Sequence, residues 1–178
     1  MTLHMSINRA TAQPIHSADV LPFPTDASRL RVSRGQFSTV PADAIDAREP
    51  TQLFGLPLVN AHPEDVAHAI VERAAHGLNS TLAFINAHCI NTLKSDPAYG
   101  RALARADALL PDGSGMSIAA RMAGERISHN LNGTDLFPLL CREAAAQEQG
   151  LFLLGGHPGV AAAASATMRQ SMPGLNIC

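Results

Sequence analysis

The sequence predicts an α/β domain over residues 51–178, a mostly parallel sheet with flanking helices, and three observations predict it. Short β-rich apolar runs alternate with longer stretches of helical periodicity, the pattern of repeated βαβ units with right-handed crossovers. The runs Thr81–Ile85, Ala108–Leu110 and Leu151–Leu154 lack polar alternation, as strands buried on both faces do. Each run leads into a turn rich in Gly, Pro, Asn or Asp and then a helix start.

Residues 1–50 differ from the rest. Pro14, Pro22, Pro24 and Pro41 punctuate polar stretches without a lasting period, so a flexible N-terminal extension is expected there. Leu53–Val59, interrupted by Gly55 and Pro57, reads as an edge hairpin or a broken strand. Pro63 opens a helix with Glu64 and Asp65 in its first turn, Val66, Ile70, Val71 and Ala74 on its apolar face and Gly77 as its cap. After the strand at 81–85, helices are expected over 87–93 and 97–106, with Asp96 capping the second and Pro97 at its first position. The strand at 108–110 precedes a helix from Met116 to Met122 that Gly124 ends. Thr134 or Asp135 is expected to cap a helix running to about Gln149. A third buried strand, Leu151–Leu154, then precedes a helix from Val160 to about Gln170, and Leu175–Ile177 begins another strand.

Composition excludes several classes of protein. A chain of 178 residues with 46% hydrophobic and 16% charged residues can bury one core and is not of disordered composition. A formal net charge of −2, with Lys94 the single lysine, leaves no basic stripe for nucleic acid. No apolar stretch is long enough to span a bilayer, and no signal-peptide core is present, which points to the cytoplasm. Cys89, Cys141 and Cys178 form no paired framework, and the histidines lie on separate elements without metal-ligand spacing.

Four loops carry the candidate chemistry: Asn86–His88, Pro111–Gly115, Asn130–Asp135 and Gly155–Gly159. In an open parallel sheet the loops after strands gather at one edge, so the first, second and fourth are expected to be neighbours. Asp112 is the most informative residue. At a strand's C-terminal edge its carboxylate suits a general base drawing a proton from a hydroxyl, and it suits equally a cap for the Met116 helix. Gly155 and Gly156 precede a helix start and suit either a diphosphate cradle or a tight turn. No dinucleotide fingerprint or Walker loop is present.

Taken in order, these segments resemble the WecG/TagA/CpsF glycosyltransferases (glycosyltransferase family 26). The resemblance runs from about Phe54 to Ile177. It rests on Phe84-Ile85-Asn86, Asp96-Pro97, Ala106 to Gly113, Asn132-Gly133-Thr134-Asp135-Leu136, Leu151 to Val160 and Met172 to Leu175. It implies a Rossmann-like domain that moves a sugar, of the N-acetylmannosamine or glucose type, from a UDP donor. The acceptor would be a polyprenyl-diphosphate-linked sugar at the cytoplasmic face of the membrane, with inversion and no essential metal or cofactor. By position, the resemblance makes Asp112 the general base and assigns Asn86, Gly113, Asn132, Gly133, Asp135, Gly155 and Gly156 to the substrate pocket. The product would serve exopolysaccharide or cell-wall polymer assembly, and a homo-oligomer stays open.

The chain departs from the family pattern in places. Phe84 stands where the resemblance implies threonine, and Asn130 where it implies an arginine that would pair with donor phosphate, so either Arg126 or His129 substitutes or the donor is held differently. The resemblance also implies further strands, a Pro-x-Gln-Glu segment and a basic membrane-contacting appendage, so residues 51–178 read as the N-terminal portion of the domain with its last strands missing. The alternative reading is a truncated, catalytically inactive module that binds nucleotide sugar.

Overall fold

The computed structural model describes residues 50–178, so the extension expected over 1–50, save Pro50, lies outside the described residues. Thr51–Leu53 (β1) and Leu56–Leu58 (β2) form an antiparallel hairpin. Its two central residues, Phe54 and Gly55, both have positive φ, at 55° and 75°. Such turns match the twist of the paired strands.

Pro63–Ala75 (α1) ends in a Schellman motif, Gly77 N–H donating to Ala74 O at 2.9 Å and Leu78 N–H to Arg73 O at 2.9 Å. Gly77 satisfies this because its φ is 73°, a conformation costly for residues bearing Cβ. Leu82–Ile85 (β3) leads to Ala87–Ser95 (α2) and Pro97–Leu103 (α3). Asp96 Oδ1 accepts from Ala98 N at 2.8 Å and Tyr99 N at 3.2 Å, the expected cap. Ala108–Pro111 (β4), Ser114–Met122 (α4), Gly133–Ala146 (α5), Gly150–Leu151 (β5), Val160–Ser171 (α6) and Asn176–Ile177 (β6) complete the chain.

The main sheet has the order β1-β2-β4-β3, with β4 parallel to both neighbours. β4 divides the core by alternation. Ala108 and Leu110 pack with α1 and α5 on one face, and Leu109 packs with Ile90, Leu103 and Met116 from α2, α3 and α4 on the other. Full burial of a leucine such as Leu110 contributes about 1.5–3 kcal/mol. Helices on both faces of a mostly parallel sheet give the expected Rossmann-like α/β architecture.

Some expectations are corrected. Among the described residues β3 is an edge strand, paired with β4 alone, and only its Ile85 is buried. The run Leu151–Leu154 is not a buried strand of the main sheet. Only Gly150–Leu151 is strand, paired in parallel with β6 in a separate two-stranded sheet, and Phe152 and Leu154 are 46% and 73% exposed. On α1, Ala67 and Ala69 are buried while Ala74 is only partly so. α3 stops at Leu103, before the expected Ala106. α5 stops at Ala146, and Glu148, at φ 55°, turns the chain out of the helix.

Candidate active site

Three adjacent parallel strands, β2, β4 and β3, open onto one edge of the sheet, and a polar residue follows each. These are Asn60, Asp112 and Asn86, with Asp112 on the middle strand. The carboxyl edge of such a sheet is where open α/β folds bind ligands.

The backbone around Asp112 is held on all sides. Its N–H donates to Ile85 O at 2.8 Å, and the carbonyl of Pro111 accepts from Leu131 N–H at 2.8 Å. The next N–H, that of Gly113, donates to Asn130 Oδ1 at 2.7 Å. The half-buried Asp112 side chain itself makes no hydrogen bond or ion pair among the described residues. The reading of Asp112 as the cap of α4 is therefore overturned. Gly113 occupies the cap position, no side chain bonds the first N–H groups of the helix, and Asp112 lies one residue upstream. Gly113 takes φ 92° and ψ 155°, a region essentially restricted to glycine.

Asn86 and Asn132 both act as helix caps. Asn86 Oδ1 accepts from Cys89 N at 3.1 Å at the start of α2. Asn132 Oδ1 accepts from Asp135 N at 2.8 Å, and its amide donates to Asp135 Oδ2 at 2.6 Å. Asn132 caps α5 in place of the expected Thr134 or Asp135, because the helix begins two or three residues earlier than either cap would place it, at Gly133. A Cβ placed on Gly133 would sit 3.5 Å from the Phe84 ring, and one on Gly115 would sit 3.6 Å from Ala87 Cβ. The starts of α2, α4 and α5 therefore gather around the ends of β3 and β4. Helix N-termini carry partial positive charge, which suits an anionic ligand.

The segment joining α4 to α5 is pinned across this edge. The carbonyl of Arg126 accepts from Thr51 Oγ1 and from Asn60 Nδ2, each at 2.9 Å, and Ser128 N–H donates to Asn60 Oδ1 at 2.9 Å. The His129 ring meets His62 edge-on with centroids 4.6 Å apart, and His62 also pairs with Glu64. Of the two residues expected to stand in for the arginine, His129 is engaged with the start of α1, and Arg126 is held through its backbone.

Gly155 and Gly156 follow β5 in the second sheet and are exposed, with φ of 116° and 80°. No side chain caps α6 after them. Among the described residues the hydrogen bonds tie the Asn130–Asp135 loop to the Asp112 turn, and none joins the Gly155 loop to either. Sequence reasoning missed Asn60 and the bond made by Asn130. Asn60 had a readable signal, since it follows the run Leu58-Val59 as Asn86 follows Ile85.

A Rossmann-like sheet with a carboxylate left unpaired among the described residues at the end of its middle parallel strand fits a group-transfer enzyme of the α/β class. The chain belongs to the glycosyl transferase WecG/TagA/CpsF family, whose model matches residues 51–178. It is similar to an N-acetylglucosaminyldiphosphoundecaprenol N-acetyl-beta-D-mannosaminyltransferase of Bacillus spizizenii, at 29% identity over 82 residues, or 46% of this chain and 32% of that protein. The chain thus spans about a third (32%) of the length of the curated relative it matches.

Proposed function

We propose that this protein transfers a sugar of the N-acetylmannosamine type from a UDP donor to a hydroxyl of a lipid-diphosphate-linked sugar, for assembly of a cell-wall or exported polysaccharide. The observation that carries the reading is Asp112: a carboxylate at the end of β4, fixed through its backbone and left unpaired among the described side chains. A sugar hydroxyl is a weak nucleophile until its proton is withdrawn during attack on the anomeric carbon. Asp112 would accept that proton as the new glycosidic bond forms and UDP departs from the opposite side, which inverts the anomeric centre. The start of α2, with Asn86, and that of α5, with Asn132, Gly133 and Asp135, would line the donor side, with Gly155 and Gly156 toward the diphosphate. The relative's name supplies the acceptor class, N-acetylglucosamine carried on a diphospho-polyprenol. An acceptor of that kind places the reaction at a membrane face. No described helix is long and apolar enough to cross a membrane.

The test is turnover of UDP-N-acetylmannosamine with N-acetylglucosaminyl-diphospho-undecaprenol, comparing wild type with Asp112→Asn. Loss of a general base costs about 10²–10⁴ in rate, with UDP affinity retained. Transfer at the wild-type rate by Asp112→Asn sinks the base assignment. UDP binding without transfer by the wild type would instead assign the chain to the nucleotide-sugar-binding class.

A further inference from the structure

We infer that Asn130 is the positioning residue for Asp112, acting through the Gly113 amide rather than on a ligand; this rests on the transferase reading above. Each peptide unit is planar, so relative to the peptide before it the Cα–Cβ bond of Asp112 turns with φ, while ψ sets the peptide after it. Those two angles are fixed when the peptide planes on both sides are fixed. The plane before Asp112 is held at both of its polar ends, Pro111 O by Leu131 N–H and Asp112 N–H by Ile85 O, each at 2.8 Å. The plane after it is held by Asn130 Oδ1 on Gly113 N–H at 2.7 Å.

The first two bonds are backbone to backbone and survive most substitutions. The third depends on one side chain. Gly113 makes that dependence sharp: having no Cβ, it has a broad range of conformations open to it, and it is held at φ 92° and ψ 155°. Without the Asn130 oxygen, the Asp112–Gly113 peptide loses the side-chain acceptor that orients it among the described residues, so φ of Asp112 is no longer held from that side and the carboxylate swings with it. Leu131, 1% exposed, anchors the strap from the adjacent position, and Asn60 fixes its other end through Ser128. An arginine side chain at this position has no acceptor atom and could not make this bond.

The experiment uses the 178-residue chain with UDP-N-acetylmannosamine and N-acetylglucosaminyl-diphospho-undecaprenol, together with amide exchange at Gly113 followed by NMR. Asn130→Ala is expected to lower kcat by about tenfold to a hundredfold, the scale of a misplacement near 1 Å, with the donor KM little changed and Gly113 exchange accelerated. Asn130→Asp keeps an acceptor oxygen and restores protection of Gly113. Its added charge disfavours ionisation of Asp112, so kcat recovers at high pH while the acid limb of the profile moves up in pH. Asn130→Arg should behave as Asn130→Ala. A tighter donor KM in Asn130→Arg with kcat intact would overturn the inference and mark a phosphate-binding position. If the wild type turns over neither substrate, the transferase reading fails by itself. Gly113 exchange still decides the clamp, and equal exchange in wild type and Asn130→Ala refutes it.

Discussion

His68 and Glu143 staple α1 to α5, Nδ1 lying 2.7 Å from Oε1. The hydrogen bond to Glu143 raises the His68 pKa above its ordinary 6.5, and the bond from His68 lowers that of Glu143 below its ordinary 4.5. The stabilisation due to His68 is complete below pH 6.5 and is lost as pH rises through its raised value. That due to Glu143 is complete above pH 4.5 and is lost as pH falls through its lowered value. The pair therefore contributes fully between those two pH values. The His68 side chain is 58% exposed and that of Glu143 29%, so solvent screens the pair and the effect is small, about 0.2–1 kcal/mol. His68→Gln should lower the melting temperature at pH 5.5 and have less effect at pH 9. An equal loss at both pH values would show that the staple's charge contributes nothing.

The β1–β2 turn holds a removable strain. Phe54 sits at φ 55° with half of its surface exposed. The left-handed region costs a residue bearing Cβ about 1–2 kcal/mol, and Asn bears that cost most easily. Phe54→Asn creates an Asn-Gly turn and should stabilise the protein by about 0.5–1 kcal/mol. Thermal unfolding decides the matter: a lower melting temperature would mean that the Phe54 ring packs usefully after all.

Local signals in the sequence placed most of the elements, and the site was legible to the extent that it is local. Pro63, Asp96-Pro97 and Gly77 mark helix ends through their own backbone chemistry, and the structure puts those ends where the signals lie. Strand burial was misread at β3 and β5 because an apolar run does not reveal how many neighbours it will have. Asp112 was readable from its position after a strand. The Asn130 bond was not, since it joins residues 17 apart in the chain and depends on a loop conformation that no spacing encodes.

Gly113→Ala tests backbone geometry without a clash. A Cβ at Gly113 would meet no atom within 4 Å, so its cost is conformational, about 1–3 kcal/mol. Gly133→Ala is the contrast. Its φ is not in the left-handed region, its Cβ would make ordinary contact with Phe84 at 3.5 Å, and it lies at the first position of α5. Denaturant unfolding should therefore show a clear loss for the first substitution and a change within about 0.5 kcal/mol for the second. Equal losses would mean that the Gly113 conformation is not strained for alanine.

Asn86 and Asn132 can be separated by what their amide nitrogens do. Both oxygens cap helices, so alanine at either position should cost about 1 kcal/mol of stability. The Asn132 nitrogen is bound to Asp135 Oδ2, whereas that of Asn86 makes no hydrogen bond among the described residues. Asn132→Ser retains a cap and should restore stability with little change in UDP affinity. Asn86→Asp also retains the capping oxygen but removes the free donor and adds a negative charge beside the proposed diphosphate. It should keep the melting temperature while weakening UDP binding by about tenfold, the loss of a hydrogen bond to a charged group. Titration calorimetry with UDP measures this directly. Unchanged affinity in Asn86→Asp would confine Asn86 to its role as the cap of α2.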